Sequence, residues 1–195
     1  MTIPYVIEKS SSGERCMDIY SRLLDDRIIV LHGEINSESA NAVIAQLLYL
    51  SAKDSEKPVT MYIDSPGGSV SAGLSIVDTM NYISPPVATI CTGIAASMGA
   101  VIFSSGATGM RSILPHAQVL IHQPLISGGG LTGQCSDIQI HAEHIFKTRE
   151  ILESLLAGVT GNSIEVIHEA CDRDKYYSSE EAVKFGLCDT IIQYQ

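Results

Sequence analysis

Apolar positions follow two rhythms along this chain: short unbroken runs, and stripes spaced three to four residues apart. The runs "RIIVL" (27–31), "VTMYI" (59–63), "VATIC" (87–91) and "VLIH" (119–122) are rich in β-branched residues and predict buried strands. Among them the spacing predicts helices over about 38–53, with Val43, Leu47, Leu48 and Leu50 apolar, and over about 69–82. A third helix is expected to begin at Ser97, ahead of a further run, "MRSIL" (110–114). Strands about thirty residues apart with helices between them imply βα units and a mainly parallel sheet. Ligands of such sheets sit at the carboxyl ends of the strands, where Ser65, Ser97 and His122 fall.

The last third has a different pattern. "ISGGGLTGQCS" (126–136) is glycine-rich and predicts a flexible or unusual backbone path. It leads into an amphipathic stripe over about 137–157, through Ile138, Ala142, Ile145, Leu152 and Leu156, which Gly158 or Gly161 would end. Pattern alone leaves open whether this long helix serves assembly or packs on its own core. Asn162 with Glu165, and Ser178 with Glu181, match capping boxes for two shorter helices.

Composition narrows the setting. A chain of 195 residues with 45% apolar content predicts one domain, 1–195, able to bury a core without staples. A net charge of −10 argues against nucleic acid or an anionic membrane as partner. Cys16, Cys91, Cys135, Cys171 and Cys188 are odd in number and form no CxxC pair, which suits free thiols in a reducing compartment. No run approaches about 18 consecutive apolar residues, and "MTIPYVIEKSSSGER" lacks a signal-peptide core, so a cytoplasmic protein is expected.

Several residues could carry chemistry. "AASMG" (95–99) is a G-x-S-x-G pattern with alanine in first place, placing Ser97 in a small-residue strand–turn–helix as a nucleophile elbow would. A serine in such a turn is also a common helix N-cap. "DSPGGSVSAG" (64–73) has P-loop spacing, but Leu74 stands where the phosphate-binding lysine belongs, which argues against nucleotide binding and for a Pro-Gly turn. That turn could aim a backbone N–H into a cleft, and such a donor in an oxyanion hole contributes about 3 to 4 kcal/mol to the transition state. His122 and His32 both end apolar strands, and position alone does not choose between them as general base. His141 and His144 stand nearly one helical turn apart, but no third metal ligand is in view and a solvated face is expected. Asp172 and Asp174 compete as the acid that would orient an imidazole.

Taken together, "RLLDDRIIVL", "YIDSPGGSVSAGLSIVDTM", "TICTGIAASMGAVIFSSGA", "LIHQP", "GQCSDIQIHAEHI" and "DRDKYYSSEEAVKFGLCD" resemble the proteolytic subunits of the Clp protease (ClpP), in order from about Ile3 to Ile192. The resemblance implies an α/β, crotonase-like spiral of β-β-α units with a protruding strand-helix handle. The implied layout is an N-terminal axial segment (1–20), a head (21–121 and 161–195) and a handle (122–160). It also implies a serine endopeptidase with Ser97 as nucleophile, His122 as base and Asp174, in "RDKY", as the orienting acid. Gly68 and Met98 would supply the oxyanion-hole amides.

Family members stack two heptameric rings into a barrel with the sites inside. By that likeness segment 126–134 would form a handle strand that aligns substrate, and Arg173 would contact the opposite ring. The barrel would be fed by an AAA+ unfoldase of the ClpX, ClpA or ClpC type, which uses ATP, while the subunit itself would need no cofactor and no metal. Docking of the unfoldase would fall to Tyr62, Tyr82, Ile90, Leu114 and Ile192.

This sequence departs from the family pattern in two places. "HQPLISGGGLTGQ" is about three residues longer than usual, so ordering the handle should cost more entropy. Thr60, Thr92 and Ser112 stand where larger apolar groups are common in the docking pocket, which should weaken docking. A subunit that works in mixed rings with a second paralogue is the expectation that follows. The alternatives are a structural, poorly active ring subunit and a crotonase-type acyl-CoA enzyme. The latter would use the paired amides without a nucleophilic serine.

Overall fold

A computed structural model describes residues 3–10, 13–126 and 130–193. An N-terminal hairpin of β1 (Tyr5–Ser10) and β2 (Gly13–Asp18) leads into a short helix, α1 (Ile19–Asp25), capped by the Asp18 carboxylate. Neither strand was legible in the hydrophobic pattern, because most of the hairpin's described residues are exposed and no core imposes an alternation.

The body is built on β3 (Ile28–His32), β4 (Val59–Ser65), β5 (Val87–Ala96), β6 (Arg111–Ile113) and β9 (Thr190–Ile191), parallel neighbours in that order. Alternation along β4 shows which face is inside. Val59, Met61, Ile63 and Ser65 are buried, while Thr60, Tyr62 and Asp64 are half-exposed. The inner face is covered by α2 (Ser37–Lys53), α3 (Val70–Tyr82) and α4 (Met98–Ser104). Leu47, Leu50, Ile76 and Phe103 are fully buried there, each contributing about 1.5 to 3 kcal/mol by leaving water.

β5 runs five residues further than its apolar run predicts, and the extension matters most for the site. Thr89–Cys91 pair with β6, whereas Ile94–Ala96 pair with β7 (Gln118–Ile121), so the sheet forks along this strand. β7 in turn pairs antiparallel with β8 (Lys175–Tyr177). The result is the expected α/β architecture with a mainly parallel sheet.

The long helix, α5, spans Cys135–Thr160, about 40 Å, and ends at Gly161 in the left-handed conformation. Only Leu152, Glu153 and Leu156 are buried on it, while Ile138, Ile140, Phe146 and Ile151 are exposed, so its first half stands clear of the core. Ile126 and residues 130–134, the described part of the expected handle strand, form no strand, and Gly130 (φ 88°) and Gly133 (φ 152°) break the extended run. Ser127, Gly128 and Gly129 lie outside the described residues. Two helices follow, α6 (Ile164–Ala170) and α7 (Ser179–Phe185). Ser178 and Glu181 make the expected capping box on α7. On α6 the cap is Ser163, not Asn162, whose side-chain amide instead donates to the Phe185 carbonyl at 2.7 Å. Among the described residues no helix is long and apolar enough to cross a membrane.

Candidate active site

Three chain segments meet where the fork of β5 ends. Ala96, the last residue of β5, pairs with Leu120 of β7, and the Ser97 N–H donates to the Leu120 carbonyl at 2.9 Å. Ser97 therefore leaves the sheet beside the strand that ends in Ile121 and delivers His122. On the other side of β7, Ile121 pairs antiparallel with Lys175, so His122 and Asp174 are the residues that adjoin this last pair, and both line one cleft. Asp172 lies two residues earlier, on the turn that follows α6, and lines the same cleft.

The backbone at Ser97 is unusual. Its φ of 55° makes it one of two described non-glycine residues at positive φ, the other being Arg27. Ser97 occupies the N-cap position of α4, yet its hydroxyl makes no capping bond, which removes the bland reading of this serine as a helix cap. Ser97 and His122 are half-buried, and Asp172, Arg173 and Asp174 are exposed. Among the described residues no hydrogen bond joins the Ser97 hydroxyl, the His122 ring and the Asp174 carboxylate. Two adjoining clefts share His122, Gln123 and Pro124. One includes Ser97 and Met98, and the other includes Asp172, Arg173 and Asp174.

The Pro-Gly-Gly turn packs directly against this serine. The buried Ser65 hydroxyl donates to the Gly33 carbonyl at 2.6 Å and accepts from the Gly67 N–H at 3.1 Å, fixing the turn at its root. The Gly67 carbonyl accepts from Ile35 and the Ile35 carbonyl accepts from Ser69, each at 2.8 Å. Those two bonds use the side of the chain facing Ile35 and leave the Gly68 N–H on the other side, without a partner among the described residues. Gly67, at φ 94°, comes so near that a Cβ there would lie 2.7 Å from the Ser97 Cβ. The Met98 N–H, at the first position of α4, is likewise without a backbone acceptor among the described residues.

The other candidates fall elsewhere. His32 ends β3 and faces Asp64 at 3.5 Å, with β4 between it and β5, so it is not a neighbour of Ser97. His141 and His144 sit on the outer half of α5, and no group of three potential metal ligands forms among the described residues. Arg173 is exposed, its guanidinium 3.9 Å from the Asp172 carboxylate. Tyr62 and Ile90 are cross-strand partners on the uncovered face of the sheet, and Ser112 continues their row, its hydroxyl 3.1 Å from that of Thr190. Leu114 and Ile192 follow the adjoining strand ends, half-buried, and Tyr82 is exposed at the end of α3.

Sequence reading missed residues that act over long separations. Gln123 donates its backbone N–H to the Cys171 carbonyl at 2.6 Å and its side-chain amide to the Asp172 carbonyl at 2.8 Å. It thereby ties the residue after His122 to the end of α6. Arg149, Glu153 and Cys171 line the cleft beside Ser97. Burial pushes the Cys171 thiol up to about 11, with the nearby Glu153 charge adding to it, so this cysteine is a packing group and not a second nucleophile. Adjacent polar residues in a cleft are spatial facts, and no local spacing announces them.

The Clp protease family model matches residues 11–195. The "ATP-dependent Clp protease proteolytic subunit" of Ligilactobacillus salivarius (strain UCC118) is 53% identical over 191 residues, covering 98% of this chain and 95% of that one. The protein of the same name from Streptococcus agalactiae serotype V (strain ATCC BAA-611 / 2603 V/R) is 53% identical over 191 residues, covering 98% and 97%.

Proposed function

The chain belongs to the Clp protease family, and on that footing we propose that it is a serine endopeptidase, the proteolytic subunit of an ATP-dependent Clp protease. In this reading the Ser97 Oγ attacks the scissile carbonyl carbon while His122 takes the hydroxyl proton. His122 then gives that proton to the departing amine, and water releases the acyl group from Ser97 by the same route in reverse. Asp174 holds the imidazole in the tautomer that accepts from serine. The N–H groups of Gly68 and Met98 receive the developing oxyanion, each contributing about 3 to 4 kcal/mol.

The observation that carries the reading is the register across the fork, Ala96 with Leu120 and Ile121 with Lys175. It favours His122 over His32 as base, and Asp174, next to the strand that pairs with β7, is the acid of this reading. A fluorophosphonate probe tests it. Labelling is expected at Ser97, and Ser97→Ala is expected to abolish peptide hydrolysis while the particle still assembles. Wild-type turnover of short peptides by that variant would place the nucleophile elsewhere. A purely crotonase-type site would not label.

The subunit takes no cofactor in this scheme, and ATP is spent by an AAA+ unfoldase of the ClpX, ClpA or ClpC type that feeds unfolded polypeptide into a cytoplasmic barrel of two stacked heptameric rings. The exposed apolar residues of α5 and the exposed Arg173 are where ring-to-ring contact would fall. A second reading, a subunit that docks an unfoldase weakly and works in mixed rings with a paralogue, is favoured by hydroxyl side chains on the uncovered sheet face. Ser112 stands directly beside Ile90, and Thr60 and Thr92 share its face.

A further inference from the structure

Glu153 is the one carboxylate among the buried residues described, 6% exposed on the inner side of α5. Both of its oxygens are engaged, and by different elements. Oε1 accepts from the Arg149 Nε at 2.6 Å, one turn back on the same helix. Oε2 faces the His168 Nδ1 on α6 at 3.1 Å. The Arg149 Nη2 lies 3.4 Å from the His168 Nε2, so a single tautomer satisfies the ring: Nδ1–H donates to Glu153 and Nε2 accepts from Arg149. Three side chains thus close a loop that ties α6 to α5.

What α6 does next gives the tie its consequence. Its last turn runs straight into Cys171 and Asp172, whose carbonyls accept the two Gln123 bonds, and then into Asp174 and β8. The position of α6 therefore sets both ends of the proposed base–acid pair. Gln123 carries one end, adjacent to His122, and the turn 172–174 carries the other. Arg149 and Glu153 also line the cleft that includes Ser97 and His122.

We infer that Glu153 is a positioning residue for this site, its carboxylate holding α6 through His168 so that the turn after α6 keeps His122 and Asp174 in reach of each other. This rests on the peptidase reading above. Arg149 alone would pair a buried carboxylate. The additional bond to a second helix is what a positional role requires.

The test uses His168→Ala, because Glu153 keeps Arg149 and His168 is itself mostly exposed, so folding should survive. A second variant, His168→Asn, restores an amide N–H donor to the carboxylate. In the assembled particle, His168→Ala is expected to lower kcat for a short peptide about tenfold with KM little changed. The rate of fluorophosphonate labelling at Ser97 should fall by the same factor. His168→Asn should recover most of both. Native mass and a thermal melt on each variant separate lost alignment from lost assembly. If His168→Ala labels at the wild-type rate, or if Asn recovers nothing, the inference is wrong. If the wild-type particle itself fails to label, the peptidase reading falls, and this inference with it.

Discussion

Ser97 holds a φ of 55° that only Arg27 shares in sign among described non-glycine residues, at a cost of about 1 to 3 kcal/mol. The strain is sustained by the bond to Leu120 on one side and by the start of α4 on the other, where the Ser97 carbonyl accepts from Ala100 and Val101. It also turns the residue so that Gly67 can lie against it. A Gly67→Ala side chain would sit 2.7 Å from both the Ala96 carbonyl oxygen and the Ser97 Cβ, at φ 94°. Backbone strain and overpacking together should destabilise the fold by about 2 to 4 kcal/mol and remove most peptidase activity. Gly109→Ala is the control, since its φ of 81° carries the strain but nothing lies within 4 Å. Denaturant midpoints for the two variants, with peptide hydrolysis, check this. Equal losses in both would mean that the turn gives way instead of pressing on Ser97.

At the level of elements, the proposed docking on the outer face of the sheet would meet an apolar row that is interrupted. Tyr62, Ile90 and Ser112 lie side by side across three strands, and the serine spends its hydroxyl on Thr190. Ser112→Leu should add about 1.5 kcal/mol of apolar contact to a docked unfoldase loop, roughly tenfold in apparent affinity. Degradation of a tagged folded substrate by the pure particle with its unfoldase should be slow in the wild type and faster in the variant. Rapid degradation by the wild type, with no second subunit present, would remove the case for weak docking. The same strands show what the amino-acid pattern can reveal. β3, β4, α2 and α3 bury one face each, so their periodicity is visible within a few residues of where they begin and end. The apolar run of β5 stops five residues short of the strand because Thr92 and Gly93 interrupt it, although Ile94, Ala95 and Ala96 beyond them form the fork that delivers Ser97. The pairing of β7 with β8 joins residues more than fifty apart, which is why no local spacing could tie the turn 172–174 to His122.

Across the whole molecule, one buried cation gathers the parts that surround the site. Arg111, at the start of β6, is 6% exposed. It donates through Nη1 to the carbonyls of Ser104 at 3.2 Å, Val159 at 2.8 Å and Gly186 at 3.1 Å, the ends of α4, α5 and α7. Its Nη2 and Nε donate to the two Asp189 oxygens at 2.6 and 3.1 Å, the Arg111 backbone N–H donates to the same carboxylate at 2.9 Å, and the Asp189 N–H donates to the Arg111 carbonyl at 2.8 Å. No sequence pattern hints at this, since the partners are up to 78 residues apart. Carbonyls at helix ends are the groups a cation satisfies best, and here one guanidinium serves three of them. Removing it in Arg111→Ala would strand the Asp189 carboxylate and those carbonyls, at a cost of about 3 to 5 kcal/mol. The pair also predicts an acid response. Burial opposes ionisation of Asp189, but the hydrogen bonds and charge of Arg111 outweigh it and hold the carboxyl below its ordinary value. A depressed carboxyl contributes stability that is fully present above its unfolded value, near pH 4, and is lost as pH falls through the lower folded value. Asp189→Asn should therefore be less stable than wild type at pH 7, with the gap narrowing as pH falls from about 5 towards 3. Urea midpoints measured across that range give the answer, because Asp18, Asp25 and Asp54 are also held low and bend both curves alike. A gap that stays constant with pH would mean that the Asp189 charge does no work in the clamp.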